Sequence, residues 1–556
     1  MSIRTYPMPG TLLCGRAALD QLGYELELRS WRRIAVLADP KNFKLLRDKL
    51  SRINRPQGTE LELIDPIDDE RLAEYDALIL SGTDRQGHDT SASPIPLVWI
   101  PLSASELQRP VDALISVLDR RLIKDPEAVT SFCRRIFTSS LGEESTYPFR
   151  LSTPVHFQFS AACTLHQNSL TGEGDILDSL ATRMQQDGVS KPLLLSDAGV
   201  AAAGLTDRVC AALAETADLE LRSDVPPDSD TALVDVLAEF CRESGRDSLI
   251  ALGGGSVLDT AKGVAMVLSN GGSRLTQLEG SGHLPPLTYP WYALPTTTGT
   301  GSECTKAAVV SDATVGRKLL FISPVLQARA AFLDTGMTKT LPPHITAQTG
   351  MDAMCHAVEA FTGLGKNPLS DLFAWKAIEL LSVHLKQAVL HPDAEEHRSA
   401  TALASSLAGI AFSNSMVGMV HTVGHSLGAV CHAPHGACMA VLLPRALEFN
   451  LELIQKPLGE LLIPLKDRPS YEETLVSLRA PGAISILRGI NHALKDATDG
   501  RHPERLREIV DRDGKSLIRH QDFDRVAETA LGDASLVYNP REIRTQDIIA
   551  VLEESY

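Results

Sequence analysis

The 556-residue chain has no apolar run approaching the 18 residues that would indicate a transmembrane helix. Its opening, MSIRTYPMPGTLLCG, lacks a positive segment followed by an apolar one, the pattern of a secretory signal. Positive charge is in short supply: 53 Lys and Arg face 70 Asp and Glu, a net charge of −17. A general binder of phosphate backbones shows a basic surface, so neither a nucleic-acid nor a membrane partner is expected. The nine cysteines are odd in number and form no C-x-x-C pair. That argues against a disulfide framework and for reduced thiols in a cytoplasmic setting. With 44% hydrophobic and 22% charged residues, a wholly disordered or collagen-like chain is excluded.

Three regions separate by pattern. In residues 1–150, RRIAVLAD (32–39), LELID (61–65), YDALILSG (75–82) and PLVWIP (96–101) read as strands. Segments 42–53 and 106–122 have helical spacing, 83–96 is a polar loop, and 141–148 is a linker. Strands alternating with helices predict a parallel α/β module. Residues 151–340 repeat the alternation more strongly, in KPLLLSD, GLTDRVCAALAE, DSLIALGGGS, VLDTAKGVAMVLSN and WYALPTTTGTGSE. Residues 341–556 lose the strand signal and read as all helix. An α/β half followed by a helical half places a ligand site in the cleft between them.

Gly253, Gly254, Gly255 and Ser256 follow an apolar strand and open a helix. Such a turn exposes amides at a helix N-terminus, where a pyrophosphate would be favoured. The spacing is not G-x-G-x-x-G, and a tight turn without ligand is the plainer reading. The Thr- and Gly-rich loop 295–303 adds hydroxyls and flexible amides suited to a nucleotide. Asp197 ends an earlier strand, where a carboxylate accepts from a ribose hydroxyl and repels a 2′-phosphate; taken alone it is a turn residue. Lys318 is a candidate for a phosphate or a ribose, with a solvated lysine as the alternative.

The helical half is unusually rich in metal-ligand residue types. Asp352 and His356, at i and i+4, share one helix face. The alternative is a structural His–Asp hydrogen bond. His421, His425, His432 and His435 are four of the 16 histidines within 15 residues. His421 and His425 share a helical face, and Pro434 is expected to end that helix and leave His435 at a turn. One Asp with three His makes a donor set for divalent iron or zinc with room for a substrate oxygen. H-E-x-x-H is absent, which argues against the usual metalloprotease helix.

The ordered motifs LLLSD, GGGSVLDTAK, PTTTGTGSE, GMDAMCHAVEAF, NPLSD, VHTVGHSLGAVCHAPHGACMAVLLP and VYNPREIRTQDIIAVLEESY resemble the iron-containing (group III) alcohol dehydrogenase family across 151–556. The resemblance implies an α/β dinucleotide-binding domain followed by an all-α metal-binding domain, preceded here by an extra N-terminal α/β module. It implies metal ligands Asp352, His356, His421 and His435, with Fe2+, or alternatively Zn2+, as the ion. It places His425 near the nicotinamide and substrate as the catalytic residue, and gives His432 no role. It assigns NAD, in preference to NADP, to Asp197, Gly253, Gly254, Gly255, Ser256, Thr297, Thr300 and Lys318. The implied reaction interconverts a primary alcohol and an aldehyde, and the implied assembly is a homo-oligomer, a dimer. A dehydroquinate-synthase-like lyase and an NAD-binding sensor with a retained dehydrogenase core are the alternatives. Because PMPGTLLCGRAALDQLG also looks like a family start, residues 1–150 are either a separate module or a long insertion.

Overall fold

A computed structural model describes residues 176–556, apart from 273, 280–283, 285–286 and 315–316; before 176 it describes the strand segments named below. Two compact units result. The smaller comprises Tyr6–Pro154 with Asn367–Leu369. Its sheet runs Thr11–Leu12, Leu97–Trp99, Ala77–Ser81, Arg33–Ala38, Glu60–Leu63. Every pairing is parallel. The expected strands of this region are therefore present. The helices expected at 42–53 and 106–122, the loop 83–96 and the linker 141–148 lie outside the described residues.

The larger unit comprises Met1–Thr5, Val155–Lys366 and Ser370–Tyr556, so it draws on chain from both sides of the smaller one. Its eight-stranded sheet has the order Glu220–Arg222, Pro192–Leu195, Ser248–Gly253, Trp291–Pro295, Ala330–Leu333, Val155–Phe159, Ser2–Tyr6, Gly172–Glu173. From Glu220–Arg222 to Val155–Phe159 the strands are parallel. At the far edge Ser2 and Ile3 pair antiparallel with Glu173 and Gly172. The four central strands, Pro192–Leu195 through Ala330–Leu333, are buried at every residue. Continuous apolar runs such as LLL and LIAL suit a sheet covered on both faces. One side packs Leu194, Ile250, Leu252, Tyr292 and Phe332 against Ile176, Leu180, Val209 and Leu213 of two helices.

Beyond the sheet the unit is helical. Pro343–Thr362 packs against Glu395–Ser415 and His435–Glu460, and the latter against Val476–Ala497. Every residue from Gly350 to Thr362 is buried, which makes this the central helix of the half. The break after Met419–Cys431 departs from the sequence expectation. His432, at φ 56°, ends that helix in the left-handed conformation and donates its N–H to Gly428 O. Pro434 instead precedes a second helix, and His435 is the first residue of His435–Glu460. The proline geometry suits a helix start as well as a stop, because its missing N–H would be unpaired there in any case.

The Thr-rich loop meets the helical half backbone to backbone. Gly301 has φ 59°, and a Cβ there would lie 2.6 Å from Gly409 Cα; a Cβ on Gly409 would lie 2.6 Å from Gly301 O. Neither neighbour can yield as a side-chain tip could. Gly409→Ala is therefore expected to cost about 1–3 kcal/mol through overpacking, read as a lowered denaturant midpoint. An unchanged midpoint would mean that loop and helix separate freely.

Candidate functional site

Two clusters stand out in the larger unit. The first lies at the carboxyl edge of three adjacent parallel strands. Ala251 registers with Leu195, and Gly253 with Pro295. The chain segments leaving these strands are Asp197, Gly253–Ser256 and the loop from Thr296, so one edge gathers them, as a doubly wound sheet requires of a ligand crevice. Thr296 N donates to Gly253 O at 3.0 Å and Ser196 Oγ to Leu252 O at 2.8 Å, which holds the three exits together.

Gly254 caps the helix Gly255–Ser269 without a side-chain hydrogen bond, so no side chain of the cap covers the first-turn amides. A Cβ on Gly254 would meet Thr297 Cγ2 at 3.2 Å, and one on Gly255 would meet Thr300 Cγ2 at 2.9 Å. The glycines are what lets the two loops close on each other. Asp197 Oδ1 accepts from Gly199 N and Val200 N at 2.8 and 2.9 Å and caps a short helix. Lys318, on the strand Arg317–Ile322, pairs with Asp228 Oδ1 at 2.7 Å, and Asp228 N donates to Ser256 Oγ at 3.1 Å. The cofactor-type candidates are thus brought together, with Lys318 joined through Asp228.

Sequence reasoning missed Lys262 here. It is fully buried, and its Nζ donates to Ser302 Oγ (2.7 Å), Thr305 Oγ1 (2.9 Å), Ala307 O (2.6 Å) and Asp259 Oδ1 (3.2 Å). Burial lowers its pKa against the pull of Asp259. It bolts the helix behind the glycine turn to the end of the Thr-rich loop. The next residue, Glu303, is buried and accepts from Ser406 Oγ at 2.6 Å, which ties the loop to Glu395–Ser415.

The second cluster lies in the helical half. Asp352, His356 and His421 each offer a ligand atom within 4.8 Å of the others. Asp352 Oδ1 lies 3.6 Å from His421 Nε2, 3.9 Å from His356 Nε2 and 3.3 Å from His435 Nε2. His435 stands outside the 4.8 Å trio. Asp352 Oδ1 and His421 Nε2 are buried without a hydrogen-bond partner. Two unsatisfied groups aimed at one point are costly unless something binds between them. The donor set, one carboxylate with imidazoles, fits a divalent transition metal. The His356 ring is clamped between Phe412 at 4.1 Å and His421 at 4.4 Å. The His425 and His435 rings stack at 5.4 Å, and their side chains are 37% and 40% exposed. The centre is therefore closed behind Asp352 and open beside these two histidines. His432 is exposed and serves as a helix cap.

Two carboxylates that sequence reasoning missed stand behind the imidazoles. Glu359 Oε2 lies 2.5 Å from His421 Nδ1, and its Oε1 accepts from Val420 N at 2.7 Å. Its place at i+7 from Asp352 on the same helix face was a readable signal. Asp533 Oδ2 lies 2.8 Å from His425 Nδ1, but 108 residues separate the two and no local pattern announces it. Carboxylates in such places fix tautomer and ring orientation. They also set the charges. Burial alone would raise the Asp352 carboxyl; His356, His435 and His421 override it and hold it well below the usual range. Burial pushes His356 down to about 3. Burial would lower His421 too, but Glu359 and Asp352 raise it to about 9.

Comparison with known proteins identifies the family. Residues 167–335 match the family model for iron-containing alcohol dehydrogenase, and residues 346–556 match that for the C-terminal part of the Fe-containing alcohol dehydrogenase family. Alcohol dehydrogenase 4 of Saccharomyces cerevisiae (strain ATCC 204508 / S288c) is 31% identical over 391 residues, covering 70% of this chain and 96% of that protein. NAD-dependent methanol dehydrogenase of Bacillus methanolicus is 30% identical over 396 residues, 70% of this chain and 97% of that protein. A crystal structure of 1,3-propanediol oxidoreductase superposes with a TM-score of 0.64 at 30% identity, covering 68% of this chain and 96% of that one. The fold is that of the iron-containing alcohol dehydrogenases, oxidoreductases that interconvert alcohols and aldehydes. The chain belongs to the iron-containing alcohol dehydrogenase family.

A cation bound at His421 Nε2 must displace the proton that this nitrogen carries in the charged ring, a form that Glu359 and Asp352 favour. Below pH 9 its apparent affinity should therefore fall with falling pH, by roughly tenfold per unit for each proton displaced. Metal titration of the apoprotein at pH 6 and pH 8 reads this directly; equal affinities would contradict it. Glu359→Gln should weaken metal retention by about 10- to 100-fold, seen as metal content after dialysis against a chelator.

Proposed function

We propose that the protein interconverts primary alcohols and aldehydes using NAD in preference to NADP. Asp352, His356, His421 and His435 would hold divalent iron, with zinc as the alternative, and His425 would be the catalytic residue. The observation that carries this reading is the pair of buried, unpartnered atoms Asp352 Oδ1 and His421 Nε2 beside the open face formed by His425 and His435.

Each group has a part that its surroundings support. A divalent cation in this donor set supplies Lewis-acid polarisation of the substrate oxygen, and the nicotinamide supplies the hydride chemistry. Asp352 contributes the negative charge, its carboxyl held well below the usual range. His356 is held neutral by burial, the form a ligand imidazole needs. His425, with its Nδ1 engaged by Asp533, has Nε2 left to take up the alcohol proton or return it. The Gly253–Ser256 turn, flanked by Thr297 and Thr300, supports a pyrophosphate seat. Lys318 would serve the ribose side. Only one oxygen of Asp197 is used in capping, so the other can accept from a ribose hydroxyl and repel a 2′-phosphate.

The six described cysteines are free thiols, which supports a reducing, cytoplasmic setting. Among the described residues no single helix is long and apolar enough to cross a membrane. The strand Ser2–Tyr6 in the larger unit's sheet favours reading the module before residue 150 as an insertion.

The test is anaerobic purification, reconstitution with ferrous iron or zinc in parallel, and NADH formation across short, long and functionalised primary alcohols. Metal-dependent NADH formation, lost in His421→Ala together with the metal, is the expected result. His425→Ala should retain metal while kcat falls by about 100-fold or more. Metal retention by His421→Ala would show that the ligand set is wrong, and full turnover by His425→Ala would remove its catalytic role.

A further inference from the structure

We infer that Asp533 is a positioning residue for the reaction: it fixes His425 in the tautomer that carries the proton on Nδ1, so that Nε2 is the ring's acceptor. The inference rests on the catalytic reading of His425.

The His425 ring has little freedom. It stacks on His435 at 5.4 Å with 15° between the planes and meets His421 edge-on at 5.8 Å. Within that frame its hydrogen bond is to Asp533 Oδ2, at 2.8 Å from Nδ1. Asp533 is itself held. Its Oδ1 accepts from Ser535 N at 2.8 Å and caps the short helix Ala534–Tyr538. Its N–H donates to Ala530 O at the end of Phe523–Ala530, a helix that packs on Met419–Cys431. Arg525 Nη2, near the start of Phe523–Ala530, donates to Val430 O at 2.8 Å and ties the two helices together.

Burial would raise the Asp533 carboxyl, but the bonds from His425 and Ser535 bring it down to about 2. It is therefore ionised at any working pH, and an ionised carboxylate only accepts. An acceptor opposite Nδ1 requires a proton on Nδ1. In the neutral ring this leaves the lone pair on Nε2, the nitrogen without a protein partner among the described residues. Glu359 stands in the same relation to His421 Nδ1. The two imidazoles on this helix, four residues apart, are thus each oriented from behind by a carboxylate on a different element.

Asp533→Asn separates orientation from architecture. Asparagine caps helices as well as aspartate does, so its Oδ1 can keep the Ser535 bond. Its Nδ2 then faces His425 Nδ1 as a donor and demands the opposite tautomer, with the proton on Nε2. In the full-length, metal-loaded enzyme kcat should fall by about 10- to 100-fold, with KM, metal content and thermal midpoint unchanged. The same change in a His425→Ala background should cost nothing further, because the ring it acts through is gone. Full kcat in Asp533→Asn, with His425→Ala impaired, would overturn the inference and leave the catalytic reading of His425 standing. An unimpaired His425→Ala would overturn both. Loss of metal or a lowered midpoint in Asp533→Asn would assign the residue to the architecture and overturn the inference.

Discussion

A carboxylate on a helix that is buried from Gly350 to Thr362 cannot remain uncompensated. Asp352 is the constraint from which the helical half of the site follows. Three histidines from three helices turn toward its Oδ1: His356 from its own helix, His421 from Met419–Cys431, and His435 from the start of His435–Glu460. They lower the cost of its charge without satisfying its hydrogen bonding, since Oδ1 and the facing His421 Nε2 stay unpaired. A purely structural carboxylate would close that account with a direct bond. This one is surrounded by imidazole nitrogens held 3.3 to 3.9 Å away, a spacing suited to an ion between them.

The second ring of contacts turns a cluster into a directed site. Glu359 and Asp533 grip the Nδ1 atoms of His421 and His425. Phe412 and the His421 ring clamp His356 from both faces. Orientation comes from groups that need never touch a substrate. The open side, at His425 and His435, is where the helix ending at Cys431 gives way to the one beginning at His435. The left-handed turn at His432 re-aims the chain and lets His435 enter from a separate helix.

The sequence carried the apolar strands and the i, i+4 pair Asp352 and His356 because both are local periodicities. LIALGGGS and WYALP read as strands entering turns, and they are neighbours in the sheet. Glu359 was legible on the same grounds, one further turn along a face already singled out. Asp533 and Lys262 were not, for different reasons. Asp533 acts across 108 residues, through helix packing that no window of sequence contains. Lys262 looks like an ordinary helix lysine until its four acceptors are in place. The turn at Pro434 was misjudged because proline marks a helix start as readily as a stop, and the residue that ends the helix, His432, has no sequence signature comparable to glycine.

The loop 295–303 links the glycine turn to the helices of the second cluster. Thr297 and Thr300 press on the glycine turn, and a Cβ on Gly299 would lie 2.7 Å from Thr349 O, in the turn before Asp352. Gly301 rests on Gly409, Ser302 is bonded by Lys262, and Glu303 accepts from Ser406. A single loop therefore spaces the glycine turn from the helix that carries Asp352 and His356. Hydride transfer tolerates little error in the distance between its reacting atoms. Fixing that distance with backbone-to-backbone contact and a buried lysine leaves few soft degrees of freedom between the two clusters. On this view the glycines of PTTTGTGSE are required because helix backbone lies against both: Gly299 against Thr349, Gly301 against Ser405 and Gly409. These contacts are what couple the two separately built clusters.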